Sequence, residues 1–507
     1  METETDVIVV GAGPTGLMLA NELAAAGVGV TIADHRASRS PQSKAGNLHP
    51  RSCEILDQRR LLAPIAEHAT ARLPTGHFAG LPVPLDFSVL PTRHRYQLLV
   101  EQARVEEELE ASLGRSGVAV DREHRLTALE QDSARVTATL DTPSGPRRVR
   151  CTYLVGCDGA RSTVRELLGV AFPGLPGRTG MVAADVTLSR IPRGADERRR
   201  HIGARFRFGS RSAAMLHPLS GGTYRLLFPA PRQDVAKDAP VEPAEVREVL
   251  ADVYGDEAEL DRLLIASRFT DASRQAERYR VGRAFLAGDA AHIHLPTGGQ
   301  GMNLGLQDAF ALGWRLAAAV RGHASDHLLG SYETERHPVA ARVLDNTRAQ
   351  GELGRVTTAP MQAMRELFVE LVRLPEANRH LAGMVSGIDI RYPAPDDRSA
   401  AHPLTGRRAP DLDLDTAEGP ARLTRLLRPG RGLLVEFTVD EPHYGDAAQR
   451  WSDRVDHLVA APVDPVDATA LLIRPDGHIA WAVDSNENRG DTPDASLRQW
   501  FGTPESN

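Results

Sequence analysis

Runs of apolar residues change period several times along this chain, and the changes divide it into elements. Asp6–Val10 is short and almost wholly apolar, the pattern of a strand buried on both faces. A glycine-rich turn, Gly11 to Gly16, follows at once. Apolar spacing then becomes helical over Leu17–Ala25, Gly27 stops it, and Val28–Ala33 predicts a second strand ending at Asp34. Helices are predicted over Ser52–Leu62 and, opened by Gln102, over Ala103–Leu113. The Pro-rich stretch 74–95 predicts extended chain. Alternation over 118–149, with turns at Asp132 and Pro143, predicts a β-meander. A strand ending at Asp158-Gly159 precedes a helix that Ser162 would cap. Met181–Leu188 and Thr223–Phe228 read as strands and 240–265 as helix. Ala284–Ala287 is again strand-like and stops at Gly288-Asp289. Leu304–Val320 is helical, and helices run on to about residue 390, including Ser331–Ala349. Residues 393–410 read as a linker. Beyond it, strands at Gly432–Phe437, Leu458–Ala461 and Ala470–Ile473, and the turn Arg474-Pro475-Asp476-Gly477 into His478–Val483, predict a small α/β unit.

The first glycine turn reads Gly11-Ala12-Gly13-Pro14-Thr15-Gly16, between a strand and a helix. In that context Gly11 makes the tight turn, Gly13 admits a pyrophosphate, and Gly16 lets helix and strand pack. Asp34, at the end of the second strand, is placed to accept from ribose hydroxyls. The later segment Pro296-Thr-Gly298-Gly299-Gln-Gly301-Met302-Asn303 would let backbone pass close to something flat or anionic, because a Cβ would clash there. A strand, an acid, such a turn and a helix N-terminus make a cofactor cradle. Gln102 is either a partner for cofactor hydroxyls or a plain helix cap. Asp158 and Arg165 are expected to pair. Arg205, Arg207 and Arg225 lie in or beside strand-like runs, as solvent-facing charges or as anchors for substrate oxygens.

Composition narrows the class. With 507 residues, 41% of them hydrophobic and 25% charged, the chain reads as a soluble protein of two to four domains. A net charge of −7 gives no case for nucleic acid or an anionic membrane. Three cysteines without CxxC spacing suit a reducing cytoplasm and give no metal or disulfide framework. Pro14, Asn21 and Glu22 interrupt the apolar N-terminal stretch, so neither a signal peptide nor a membrane span is expected.

Three segments in order, GxGxxG at Gly11–Gly16, DGxxSxxR at Asp158–Arg165, and Gly288-Asp289 with Pro296 and 298-GGQGMN, resemble the class A flavoprotein monooxygenases of the p-hydroxybenzoate hydroxylase fold. The runs 274–280, 291–296 and 380–392 are similar to those of bacterial aromatic polyketide hydroxylases of angucycline and tetracycline type, and 336–350 to rifampicin monooxygenase. The resemblance implies an α/β fold: a Rossmann-like FAD-binding domain (1–75, 96–175, 270–395), an inserted β-rich substrate domain (76–95, 176–269) and a C-terminal thioredoxin-like domain (396–507) without redox cysteines. It implies FAD, transient NAD(P)H and O₂, hydride transfer to flavin and a C4a-hydroperoxyflavin that hydroxylates a polycyclic aromatic polyketide in antibiotic biosynthesis. Alternatives are rifamycin-type oxidation, Baeyer–Villiger insertion, and a flavin-bound carrier or regulator without turnover.

Expected cofactor contacts are Gly11, Gly13, Pro14, Thr15, Gly16, Asp34, His35, Lys44, Arg51, Gln102, Leu126, Asp158, Asp289, Pro296, Gly299, Gly301, Met302 and Asn303. Pro296 and Gly298 would lie near the ring. Lys44 and Arg51 would reach phosphates or the ring edge, or else be solvated. Phe78, Arg207, Met215 and Arg225 would face the substrate. His49, His292 and His294 are candidates for a base by location. Position 44 is Lys where many relatives have Arg, and Glu101 stands where they often have Pro. A monomer or homodimer is expected.

Overall fold

The structure is a computed structural model that describes residues 2–40, 42–197, 201–230, 236, 238–355, 358–393, 402–437, 443–484 and 492–504. Its first layer is a parallel sheet. Strand Glu2–Val10 lies between Val30–Asp34 and Arg147–Gly156, with Val7 opposite Val30 on one side and Tyr153 on the other. Ala284–Leu286 extends the sheet beyond Arg147–Gly156, and Val120–Arg122 extends it beyond Val30–Asp34. Flanked on both edges and covered on both faces, Val7–Val9 are wholly buried, which is why the segment is apolar throughout. The helices Pro14–Ala25, Gln102–Arg115 and Gly301–Val320 share its core through Leu17, Leu109 and Phe310.

The meander is shorter than expected. Arg125–Gln131 pairs antiparallel with Val136–Asp141, which pairs antiparallel with Arg147–Gly156, whereas Val120–Arg122 belongs to the parallel sheet.

A second, antiparallel sheet has the order Phe206–Phe208, Ala213–Pro218, Tyr224–Pro229, Gly180–Arg190, Glu259–Thr270. The helix expected over 240–265 is only Pro243–Tyr254. Gly255, at φ +53°, ends it, and Glu259–Thr270 is a strand along Gly180–Arg190. Residues 74–95 are mostly turns, with one short pair, Thr75–Gly76 against Leu85–Asp86. Phe78, Leu81, Leu85 and Phe87 form a small core with Val372 and Val385 of the helices Ala359–Val372 and Pro375–Ser386.

Of the expected linker, 394–401 lie outside the described residues. In the C-terminal unit, Gly432–Glu436 pairs parallel with Val455–Pro462 across the helix Gly445–Gln449. It pairs antiparallel with Ala470–Ile473, which is hairpinned to Ile479–Val483. Helix Asp494–Phe501 follows. This is the thioredoxin-like arrangement.

That unit is plugged into the rest of the molecule by its turn 474–477. Arg474 donates to both oxygens of Glu335 (2.5 and 2.9 Å) and to both of Asp476. Arg315 donates to Glu335, and Trp314 Nε1 to Asp476 Oδ2 (3.1 Å). Arg51, Gln58 and Arg59 donate to the carbonyls of Asp476 and Pro475. The charges are buried but each is paired, which is the condition under which burial is tolerated.

Candidate active site

Three glycine-bearing turns meet at the ends of the parallel strands. Gly11 has φ +104°, and a Cβ there would stand 2.4 Å from Cys157 O; one at Gly16 would stand 1.9 Å from Gly11 O. At Gly13 a Cβ would meet nothing within 4 Å. Gly13 is also the N-cap of Pro14–Ala25, and no side chain caps that helix. The result is an open cradle with helix N–H groups facing it, the arrangement that binds phosphate. Asp34 is buried. Its Oδ2 accepts from Ala12 N (2.8 Å) and its Oδ1 from Arg36 N (2.9 Å), so it braces the turn and keeps lone pairs for hydroxyl donors. His35 is exposed beside it, with Nδ1 3.8 Å from Asp34 Oδ1. Leu126 is packed in the main core, just after His124, whose N–H donates to Asp34 O.

In the second turn Asp158 accepts from Ser162 Oγ (2.5 Å) and Val164 N (3.1 Å), and Ser162 caps the helix Thr163–Leu167. Burial raises the Asp158 carboxyl above its ordinary value despite those bonds. The expected pairing of Asp158 with Arg165 does not occur as a bond. Arg165 instead donates to Ala290 O and Ala160 O, and its guanidinium lies 3.9 Å over the Phe172 ring. It thus ties the second motif to the third.

In the third turn Gly288, at φ +61°, leaves room for Thr15, whose Oγ1 would stand 2.6 Å from a Cβ at Gly288 and 2.3 Å from one at Gly305. Gly288 N donates to Asp308 Oδ2 (3.2 Å). Asp308 is fully buried, accepts from Arg336 Nε (2.8 Å), and is hydrogen-bonded to His292 Nε2 (2.6 Å). Arg336 and His292 outweigh burial and hold its carboxyl low. Asp289 is exposed and makes no hydrogen bond or ion pair within the described residues. Pro296 opens the short turn Thr297–Gly299, in which Gly298 and Gly299 take φ +79° and +67°. The helix Gly301–Val320 begins directly after, with Met302 and Asn303 buried in its first turn. Asn303 Oδ1 accepts from His49 N (2.7 Å), its Nδ2 donates to Gly299 O (2.8 Å), and His49 Nε2 is 2.9 Å from Gly298 O. His292, spent on Asp308, and His294, with Nδ1 on Leu295 O, are thereby structural.

Around this centre the expectations divide. Lys44 is exposed and unpaired among the described residues, while Gln102 Oε1 accepts from Ala45 N (3.1 Å) and so fixes the loop that carries Lys44. Arg51 is a correction. It is buried, its Nη1 donates to Glu54 (2.9 Å) and its Nη2 to Asp476 O, so it serves the C-terminal turn rather than a phosphate. In the antiparallel sheet, Val182, Ala184, Ala214, Leu216, Leu226 and Phe228 pack in the core with helix Pro243–Tyr254. By the two-residue period, Met181, Ala183, Met215, Arg225 and Leu227 face the other way. Met215 thus faces away from helix Pro243–Tyr254, as does Arg225, whose charge is taken by Asp185 in a bidentate pair (2.8 Å each). Arg207, opposite Ala214, is a correction: it lies on the helix side, pairing with Glu257 and covering the Tyr254 ring. There it lines an open cavity of about 840 Å³ with Arg190 and Arg193, on the side of the sheet away from Met215. Phe78 is buried against Phe368, with ring centroids 5.7 Å apart. His77, with His49 and His201 near it, is marked by no motif in the sequence.

Among the described residues there is no cluster of metal-ligating side chains, and Cys53, Cys151 and Cys157 are buried free thiols. Among the described residues, no helix is long and apolar enough to cross a membrane.

Residues 4–347 match the family described as FAD binding domain, and residues 402–504 match aromatic-ring hydroxylase, C-terminal. The chain belongs to the class A flavin monooxygenases. Among its relatives, a Streptomyces rimosus subsp. rimosus protein named 12-dehydrotetracycline 5-monooxygenase/anhydrotetracycline 6-monooxygenase is 45% identical over 98% of this chain and 99% of its own. Rifampicin monooxygenase of Streptomyces venezuelae is 42% identical over 98% of each. The solved structure of the anhydrotetracycline hydroxylase OxyS from Streptomyces rimosus superposes with a TM-score of 0.90, covering 99% of this chain and 100% of that one at 43% identity. FAD is the cofactor of this monooxygenase family, with NAD(P)H and O₂ as co-substrates. The residues present fit FAD: the open cradle at Gly13 has room for a pyrophosphate, and Asp289 carries acceptors that no other described residue uses.

Proposed function

We propose that this monooxygenase hydroxylates a polycyclic aromatic polyketide. The observation that carries the reading is the full-length likeness to tetracycline-type hydroxylases, joined to a sheet face with Met181, Met215 and Leu227 turned away from its own helix-backed core. Such a face suits a large, mostly apolar ligand. When bound, FAD supplies the electrons taken from NAD(P)H and the activation of O₂. The chain does the rest. Gly11, Gly13, Pro14, Thr15 and Gly16 receive the pyrophosphate at a helix N-terminus, and Asp34 with His35 and the backbone near Leu126 receives the adenosine ribose. Asp158 and Asp289 hold the turns and hydroxyls around them, and Lys44, on the loop braced by Gln102, offers a point charge to the phosphate or ring edge. Pro296, Gly298 and Gly299 let backbone lie against the ring. N–H groups of Gly301, Met302 and Asn303 at a helix start favour negative charge on it.

We propose the domain division 1–75, 96–175 and 270–395 for FAD, 76–95 and 176–269 for substrate, and 396–507 for the C-terminal unit. The free buried thiols support a cytoplasmic enzyme, monomeric or homodimeric. The test is co-incubation with FAD, NADPH, isotopic O₂ and a panel of polycyclic phenols, followed by mass spectrometry. A product carrying one labelled oxygen is expected. Label from water alone, or hydrogen peroxide as the only product with every phenol, overturns the reading. A labelled ring-expanded lactone moves it to Baeyer–Villiger oxidation.

A further inference from the structure

The short strand Thr75–Gly76 and the residue after it separate the two halves of the site. On the flavin side, Gln97 Nε2 donates to Thr75 O (2.6 Å) and Gln97 Oε1 accepts from Asn47 Nδ2 (3.0 Å). Asn47 in turn abuts the glycine turn, its Oδ1 2.5 Å from where a Cβ of Gly299 would stand. Phe87 fills the space against Gly76, with its ring 6.1 Å from that of His49. On the substrate side, a Cβ at Gly80 would touch the Phe206 ring at 3.1 Å. One at Gly203 would stand 2.3 Å from Leu81 O and 3.0 Å from His201 Cε1. His77 therefore sits between the turn Thr297–Gly299 and the strand Phe206–Phe208, with His49 and His201 about it.

His49, like His292 and His294, spends one nitrogen on a partner and leaves the other buried without one. His77 makes no hydrogen bond among the described residues, and its Nδ1 is buried without one. Nδ1 of His49 is likewise buried without a partner, and among the described residues His201 has only the Gly76 backbone beside its nitrogens. A buried polar group left unpaired costs about 1–3 kcal/mol, so a cluster of them beside a site points to a ligand that supplies the missing partners. Among the described residues the groups acting on the pair are His201 and His49 on His77, and Arg205 and the Gly76 backbone on His201, with no carboxylate among them. Burial pushes His77 down to about 3 and His49 to about 4, and lowers His201. All three are neutral at physiological pH, and each neutral ring keeps one acceptor lone pair.

We propose that His77, supported by His201, accepts the hydrogen bond from the phenolic or enolic hydroxyl of the aromatic substrate. The inference rests on the hydroxylase reading and deepens it. An acceptor there orients the ring and draws on its O–H, which raises electron density on the carbons to be oxidised. Charged acceptors would suffer in so buried a place, whereas a neutral imidazole does not.

The probe is a hydroxyanthraquinone whose hydroxyl lies away from the carbonyls, paired with its methyl ether. Both are titrated by visible absorbance into the FAD-loaded protein without NAD(P)H. Wild type should prefer the hydroxyl form and shift its band to the red. His77→Phe should bind it about 10-fold more weakly, the scale of one lost hydrogen bond, with the methyl ether unchanged. His77→Gln, which keeps an acceptor, should restore most of the preference. Retained FAD affinity shows that the variants are folded, and if His77→Phe loses it, His77→Ala is read the same way. Undiminished preference in the Phe or Ala variant overturns the inference alone. A wild type that binds no polycyclic phenol of any kind overturns both this and the hydroxylase reading.

Discussion

Asp289 and Asp308 show how differently two neighbouring acids are used. Asp308 is buried and fully engaged, whereas Asp289 is exposed with nothing to bond. Asp289→Ala should therefore leave melting of the FAD-free protein unchanged while weakening FAD binding by ~1–3 kcal/mol. Titration of FAD into the stripped variant checks this, and wild-type affinity would remove the assigned role. The buried histidines give a pH prediction. Burial lowers His49 and His478 from 6.5 to about 4, and for His478 it outweighs the adjacent Asp476. The unfolded chain takes those protons first, so stability is full above the ordinary histidine value and is lost as pH falls from 6.5 through 4. Each such group is worth on the order of 3 kcal/mol by the bottom of that window. Asp308, Glu335 and Asp476 are held low by arginines, and their share is lost only at more acid pH. Melting temperature followed down that range should fall more shallowly in His478→Asn.

At the scale of elements, the turn 474–477 is where a short hairpin loop becomes a fastening. Asp476 accepts from Trp314 and Arg474 and lies 3.5 Å from Arg315, all buried. Removing it leaves two guanidiniums short of a partner, so Asp476→Ala should cost about 3–5 kcal/mol. Thermal unfolding measures that loss directly. The sequence marked this turn by its Pro-Asp-Gly alone, and its partners lie too far along the chain to be read. The cofactor turns were legible because Gly11, Gly16 and Gly288 each answer a local need that only glycine meets. Glu259–Thr270 was not, because its half-buried residues show no clean alternation and its pairing with Gly180–Arg190 is interrupted by bulges. Arg51 and Arg207 were misread for a related reason: which face a charge takes is set by partners such as Asp476 and Glu257, not by its neighbours in sequence.

For the whole molecule, a chain cut at Pro403 should aggregate or change its oligomeric state, because the cut uncovers Trp314 and Leu328, which are buried with Trp451 and Trp500 of the C-terminal unit. Light scattering settles the point, and a monodisperse, fully active product of unchanged assembly would contradict it. The same fastening orders events in time. Arg474 meets Glu335 across 139 residues of chain. While the ribosome is still making the last strands, Glu335, Arg315 and Trp314 already exist but have nothing to close on. The helices that carry them also carry Asp308 and Arg336, which hold the Gly288 turn. Until the turn 474–477 is made, the helices that hold the Gly288 turn lack the partners that brace them in the finished protein.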